Sequence, residues 1–209
     1  MSKELFEAIE KHDVEGLARV LSQEADPNAL KAEWPGWLPL QAAVEELEYG
    51  GPVEALVLLL RHGANIEGMA PHDQTATPLL MAVFRRQLEA IRLLLAAGAD
   101  ANYQGSEGDS PLRVCVEQGD LATAAMLLRS GATRTIDEAG GPTGMSALGR
   151  AASRLDVPMI ELLLRAGADP EASDLDRQKA RERLPPRDAE NQEAWDAAAA
   201  LLAGRSRGG

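Results

Sequence analysis

Aromatic side chains make up only 3% of the 209 residues. A core cannot rest on stacked rings at that level. Leu, Ala, Val and Ile must fill it, and small or unbranched side chains of that kind favour closely packed helices. Cysteine occurs once, at Cys115, which excludes a disulfide framework and a Cys-rich zinc site. The three histidines, His12, His62 and His72, stand in no HExxH or other ligand spacing, so no metal and no cofactor is expected. Basic residues are scarce: 21 Lys and Arg face 33 Asp and Glu, for a formal net charge of −12. That deficit argues against nucleic acid, whose phosphates need clustered Lys and Arg, and against an anionic membrane surface. The longest aliphatic run, Ala55 to Leu60, is far too short to span a bilayer. The opening Met1-Ser2-Lys3-Glu4-Leu5 lacks a basic n-region and an apolar h-region, so no secretory signal is expected and the cytoplasm is the default compartment.

What is present is a repeat. Four segments align: Leu58-Leu59-Leu60-Arg61-His62-Gly63-Ala64-Asn65, Leu93-Leu94-Leu95-Ala96-Ala97-Gly98-Ala99-Asp100, Met126-Leu127-Leu128-Arg129-Ser130-Gly131-Ala132-Thr133 and Leu162-Leu163-Leu164-Arg165-Ala166-Gly167-Ala168-Asp169. Their glycines are 35, 33 and 36 residues apart. Upstream of each lies a second block: Leu38-Pro39-Leu40-Gln41-Ala42-Ala43, Thr77-Pro78-Leu79-Leu80-Met81-Ala82, Ser110-Pro111-Leu112-Arg113-Val114-Cys115 and Ser146-Ala147-Leu148-Gly149-Arg150-Ala151. Thr77 and Ser110 suit helix N-caps, and Pro39, Pro78 and Pro111 suit the first helical position, where a missing N–H costs nothing. Ala43, Ala82 and Ala151 let paired helices approach. Gly63, Gly98, Gly131 and Gly167 end the second helix in the conformation glycine adopts most easily.

The two blocks together resemble the ankyrin family, whose repeat of about 33 residues carries T-P-L-H-x-A and a Leu-rich helix ending in Gly-Ala-Asp. The resemblance covers nearly the whole chain. It implies an all-α solenoid of stacked helix-turn-helix units, about six including degenerate caps, with no central sheet. The units fall near 1–30, 31–68, 69–102, 103–135, 136–172 and 173–204, in one domain spanning 1–204, with 205–209 as a frayed tail. Glu24 stands where the other units have Gly, so that helix must end less easily or differently. At the other end, Ala180 to Leu184 reads as a short polar helix stopped by Pro185-Pro186. Glu193 to Leu202 reads as the last helix, with Trp195, Ala198, Ala199 and Leu202 on its core face.

Three loops are longer than the 13 positions from Gly98 to Pro111: Glu24 to Pro39 and Gly63 to Pro78 span 15, and Gly131 to Ala147 spans 16. Such insertions either gather on a binding face or are neutral, since loops absorb them cheaply. Between the helices of the second unit, Val44 to Leu56 spans 12 positions where Val83 to Ile91 spans 8. The extra segment, Glu45-Glu46-Leu47-Glu48-Tyr49-Gly50-Gly51-Pro52, is acidic and carries a tyrosine.

The resemblance implies that a partner is gripped by loop tips and the exposed side of the first helices. On this chain those positions are Trp34, Trp37, Glu45 and Glu46, then Asp73, Gln74, Phe84 and Arg85. Next come Glu107, Asp109, Glu117 and Gln118 with Tyr103, and last Thr143, Met145, Ser153 and Arg154; Tyr49 joins them from the insertion. Aromatics, Met and Arg are the types enriched at interface centres. Trp34 and Trp37 are either such anchors or packing for the adjacent loop.

No catalytic constellation accompanies these positions. Cys115 occupies the place of Ala82 and Ala151, as a small buried residue does. Gly140-Gly141-Pro142-Thr143-Gly144 lacks the GKS/T of a phosphate loop and reads as a long finger. The pairs Glu45-Glu46 and Asp137-Glu138 are expected to be solvated, and paired carboxylates need a pocket to act as acid and base. The expected function is therefore non-enzymatic protein binding by a chain that is monomeric alone. Residues 1–68 hold 13 acidic and 5 basic side chains, which points to a basic patch on the partner and to a role such as inhibitor or immunity factor. The alternative is an enzyme or small-molecule binder with a pocket near Trp34, Trp37 and residues 45–52.

Overall fold

A computed structural model describes residues 2–33, 36–70, 76–105 and 108–203. It divides into two compact units, 1–105 and 106–209.

The first unit holds three helix pairs: α1 (Ser2–Glu10) with α2 (Val14–Ser22), α3 (Pro39–Glu46) with α4 (Glu54–Arg61), and α5 (Pro78–Phe84) with α6 (Leu88–Ala96). Each helix has only 7–9 residues, marginal in isolation, so stability must come from stacking. The first helices form a row in which α3 packs between α1 and α5, and α2 packs on α4. Leu5, Leu17, Leu40, Leu56, Leu59, Leu79, Leu80, Ile91 and Leu94 are fully buried in it. Ala43 and Ala82 are buried as well, where small side chains permit the close approach.

The second unit holds α7 (Pro111–Gln118) with α8 (Leu121–Arg129) and α9 (Ala147–Ser153) with α10 (Val157–Arg165). A 3-10 turn at Ala180–Arg183 and α11 (Gln192–Ala203) complete it. The finger before α9 is a short antiparallel hairpin, β1 (Ala139–Gly140) and β2 (Met145–Ser146), pairing Ala139 with Ser146 and Gly140 with Met145. The last repeat thus departs from a plain helix pair: the polar segment is a single 3-10 turn, Ala180–Arg183, followed by Leu184 and then Pro185. Ala198 and Leu202 of α11 are buried, whereas Trp195 is half-buried and donates its indole N–H to Pro185 O at 2.8 Å.

The expected caps are in place. Thr77 Oγ1 accepts from Leu80 N and Ser110 Oγ from Arg113 N, both at 3.3 Å. Leu38 has no oxygen to offer. Gln41, buried one turn later, instead ties the helix start down from inside, accepting from Leu38 N (3.1 Å) and donating to Ala76 O (3.1 Å). Second helices start on Asp13, Asp120 and Asp156, whose carboxylates accept from Gly16, Thr123 and Met159 N–H. They end on Gly63, Gly98, Gly131 and Gly167, all with φ between 86° and 101°. Glu24 adopts the same left-handed conformation, φ 64°, so the first unit ends as the others do and bears the strain of a side chain there.

The turns after these helices are stitched from one repeat to the next. Asn28 donates to Gly63 O (3.1 Å) and accepts from Asn65 N (2.6 Å). Glu67 accepts from Asp100 N (2.7 Å), and Asp137 from Asp169 N (2.8 Å).

Candidate functional site

In the first unit the row of first helices ends in a charged, partly aromatic edge. α3 runs into a 3-10 turn, Leu47–Tyr49, and Gly50 in the left-handed region (φ 88°) reverses the chain. Glu45, on the last turn of α3, is 14% exposed and accepts from Arg85 Nε at 2.7 Å and from Arg85 Nη2. Glu48 Oε2 lies 3.4 Å from Arg85 Nε. Glu46, 22% exposed, faces His12 at 3.0 Å between Oε2 and Nε2. The Glu45-Glu46 pair is therefore not solvated as the sequence suggested. Residues 34 and 40 positions away, on the adjoining repeats, supply its counter-groups, a pairing that local sequence does not display.

Two aromatic side chains flank this network: Tyr49 is 67% exposed and Phe84, next to Arg85, is 45% exposed. Trp37 and Tyr103 are half-buried. The Tyr103 hydroxyl donates to Met69 Sδ at 3.1 Å, and Trp37 O accepts from Lys31 N at 3.0 Å, which closes the base of its loop. Trp34, Asp73, Gln74 and Glu107 lie outside the described residues. Sequence reasoning missed His12 and Glu48. His12 sits at φ 57° in the turn between α1 and α2, and the matching turn residue Arg86 has φ 56°.

In the second unit Arg113 is the central charge. Its side chain is 4% exposed, donates from Nε to Gly108 O (3.1 Å), and pairs with Asp109 and, at 3.8 Å, with Glu117. Burial pulls this guanidinium below the usual arginine range, an effect that Glu117 opposes. Gly141 (φ 63°) makes room for it, since a Cβ there would run into the guanidinium. Glu117 also accepts from Arg150 Nε at 2.7 Å, and its carbonyl accepts from exposed Arg154 at 2.5 Å. Arg154 thus lies over the end of α7, and half-buried Met145 sits in β2 of the finger. Near that finger Leu175, which sequence reasoning also missed, is 69% exposed and donates its N–H to Gly144 O at 3.0 Å.

Among the described residues no three His, Cys, Asp or Glu side chains gather as metal ligands, and no helix is long and apolar enough to cross a membrane. Cys115 is buried.

A family model of ankyrin repeats in three copies matches residues 5–105 and 80–174. Human NF-kappa-B inhibitor alpha is 35% identical over 101 residues, 47% of this chain and 32% of that protein. A putative ankyrin repeat protein of fowlpox virus, FPV014, is 33% identical over 131 residues, 62% of this chain and 28% of that protein. The chain spans about a third or less of the length of the curated relatives it matches. Among solved structures, an ankyrin repeat domain from Acinetobacter baumannii AYE superposes with a TM-score of 0.77 at 22% identity, covering 97% of both chains. A chain of the Bdellovibrio bacteriovorus predatory endopeptidase Bd0816 in complex with immunity protein Bd3460 gives 0.71 at 25% identity, covering 94% of this chain and 97% of that one.

Proposed function

The chain belongs to the ankyrin-repeat family, and on that premise we propose that it acts by binding another protein, without catalysis, through finger loops and the exposed edge of its first helices. The observation that carries this reading is the exposure of Tyr49 and Phe84 on that edge, in a chain with only seven aromatic side chains. Large aromatic side chains exposed on adjacent repeats are the material of interface anchors. Trp37, Arg85 and Tyr103 are proposed for this surface and Met145 and Arg154 for contacts on the second unit, while Trp34, Asp73, Gln74 and Glu107, proposed from the sequence, lie outside the described residues. Glu45 and Glu46 support it from behind, because their carboxylates already hold Arg85 and His12.

The partner carries a basic patch, attracted by the acidic excess of residues 1–68. A role as inhibitor or immunity factor fits that charge, and the relatives whose names include an NF-kappa-B inhibitor and an immunity-protein complex support it. The chain works as a monomer in the cytoplasm.

Affinity purification with mass spectrometry identifies the partner. A photo-crosslinking residue at position 49 or 84 then captures it, while the same residue at Leu121, exposed on α8, does not. Trp37→Ala costs about 2–4 kcal/mol of affinity if that ring is an anchor. Capture at position 121 alone, or association indifferent to salt, counts against this reading.

A further inference from the structure

We propose that the segment inserted between α3 and α4 is a strap latched by charge, and that Arg85 and His12 are the two catches that fix where Tyr49 stands. Little else holds the strap. None of Leu47, Glu48 and Tyr49 is buried, and two glycines follow them, so hydrophobic burial contributes little and the ordering entropy is large. Two backbone bonds close it, from Gly50 N–H to Leu47 O at 3.3 Å and from Gly51 N–H to Glu46 O at 2.8 Å.

Against this, Glu48 on the strap and Glu45 and Glu46 at the end of α3, where the strap begins, each reach a cation-forming side chain on a neighbouring repeat. Glu46 meets His12 on the preceding one, and Glu45 and Glu48 share Arg85 on the following one. The catches sit one position apart in their repeats, both just after the first helix, so the strap is gripped from both sides. Glu45, Glu46 and Arg85 are all under one-third exposed, so water and salt screen them less than an ordinary surface pair. Charge-assisted bonds in such a setting are worth more than neutral ones.

Tyr49 follows Glu48 and precedes the reversing Gly50, so its ring, 67% exposed, is carried by the latched residues before it. With the latch closed, an exposed aromatic is presented in one place. With it open, the same residue rides on a glycine-rich loop, and a partner must order it on binding. Arg85 is thus a positioning residue, able to change affinity without touching a partner. That consequence rests on the binding reading above; the latch itself does not.

The free protein tests it, with no partner needed. Amide exchange at Gly51 reads closure, and fluorine NMR of 3-fluorotyrosine-labelled protein reads the ring, since Tyr49 and Tyr103 are the only tyrosines. Arg85→Met speeds Gly51 exchange about tenfold and sharpens the Tyr49 signal, leaving Tyr103 and the Leu94 amide unchanged. Raising salt from low to molar concentration moves the unaltered protein the same way and has less effect on Arg85→Met. The paired swap Glu45→Arg with Arg85→Glu restores slow exchange. Unchanged Gly51 exchange and Tyr49 line width in folded Arg85→Met would overturn the latch. Should that variant fail to fold, the salt titration of the unaltered protein decides: no response at Gly51 overturns it equally. A chain with an intact latch and no protein partner would refute the proposed function and leave this inference standing.

Discussion

The start of α6 shares the backbone of the Asp-capped second helices but has no side-chain cap, and it offers a quantitative test of how these short helices are held. Asp13, Asp120 and Asp156 cap α2, α8 and α10 with carboxylate-to-amide distances of 2.8, 3.0 and 3.2 Å. Their backbones lie near φ −78° to −87° and ψ 77° to 86°. Gln87 has the same backbone, φ −84° and ψ 80°, but no side-chain cap bond. Its amide nitrogen and oxygen are shielded from solvent and bonded to nothing among the described residues. Gln87→Asp places an acceptor where Ala90 N–H needs one. A cap is worth about 1 kcal/mol, and removing a shielded, unpaired amide returns roughly 1–3 kcal/mol. The lost methylene costs about 0.8 kcal/mol. The expected gain is about 1–3 kcal/mol, or roughly 2–12 °C in melting temperature at this chain length. Urea unfolding followed by circular dichroism measures it, with Gln87→Asn as a neutral cap of similar benefit and Gln87→Ala as the control that removes the amide without adding a cap. If Gln87→Asp is no more stable than Gln87→Ala, the capping argument is wrong and the shielded amide was the whole effect. If it is less stable than the unaltered chain, the Gln87 side chain has a role that the contacts do not reveal.

Glu24→Gly is expected to stabilise by about 0.5 kcal/mol, the left-handed penalty of roughly 1–2 kcal/mol less the extra freedom glycine gains when unfolded; chemical denaturation reads the sign. Cys115, buried on α7, should react slowly with a thiol reagent in the native protein and quickly once denatured, and rapid native labelling would contradict its burial. Leu94→Ala removes a fully buried side chain from α6 and should cost about 2–5 kcal/mol in the same unfolding assay, a loss under 1 kcal/mol being incompatible with a packed interior there.

Much of the fold was legible because its signals are local. A Thr or Ser three residues before its amide, a Pro at the first helical position and a Gly after the last turn all act within a few residues, and each sits where the repeat placed it. Glu24 shows where local reasoning stops: the sequence marks the missing glycine, while the choice between a different ending and a strained one depends on the neighbouring repeat. The finger at 139–146 was legible as a loop, its two-residue pairing was not. The candidate surface divides the same way. Exposure of Tyr49 and Phe84 follows from their places at the end of first helices. The fate of Glu45 and Glu46 does not, since their partners lie about one repeat away on either side, offset by the very insertion that makes the segment unusual.

That displacement changes how the acidity of residues 1–68 should be understood. Of its 13 carboxylates, Glu7, Glu10, Glu45, Glu46 and Glu48 face Lys3, Lys11, Lys31, His12 or Arg85. Asp13, Asp26 and Glu67 accept backbone N–H groups instead. Acidity here is spent first on joining repeats and closing turns, and only the remainder projects outward. Reversing Glu45 and Glu46 would consequently open the strap and report on order more than on attraction. Glu54 separates the two effects, because it is exposed in the first turn of α4, beside the strap and outside the latch. Glu54→Lys should slow association with a basic partner at low salt and leave Gly51 exchange untouched, because a screening length of about 8 Å at physiological ionic strength confines steering to charges near the contact. If Glu54→Lys slows association equally at low and high salt, the carboxylate acts by contact, and the acidic excess of this end is structural.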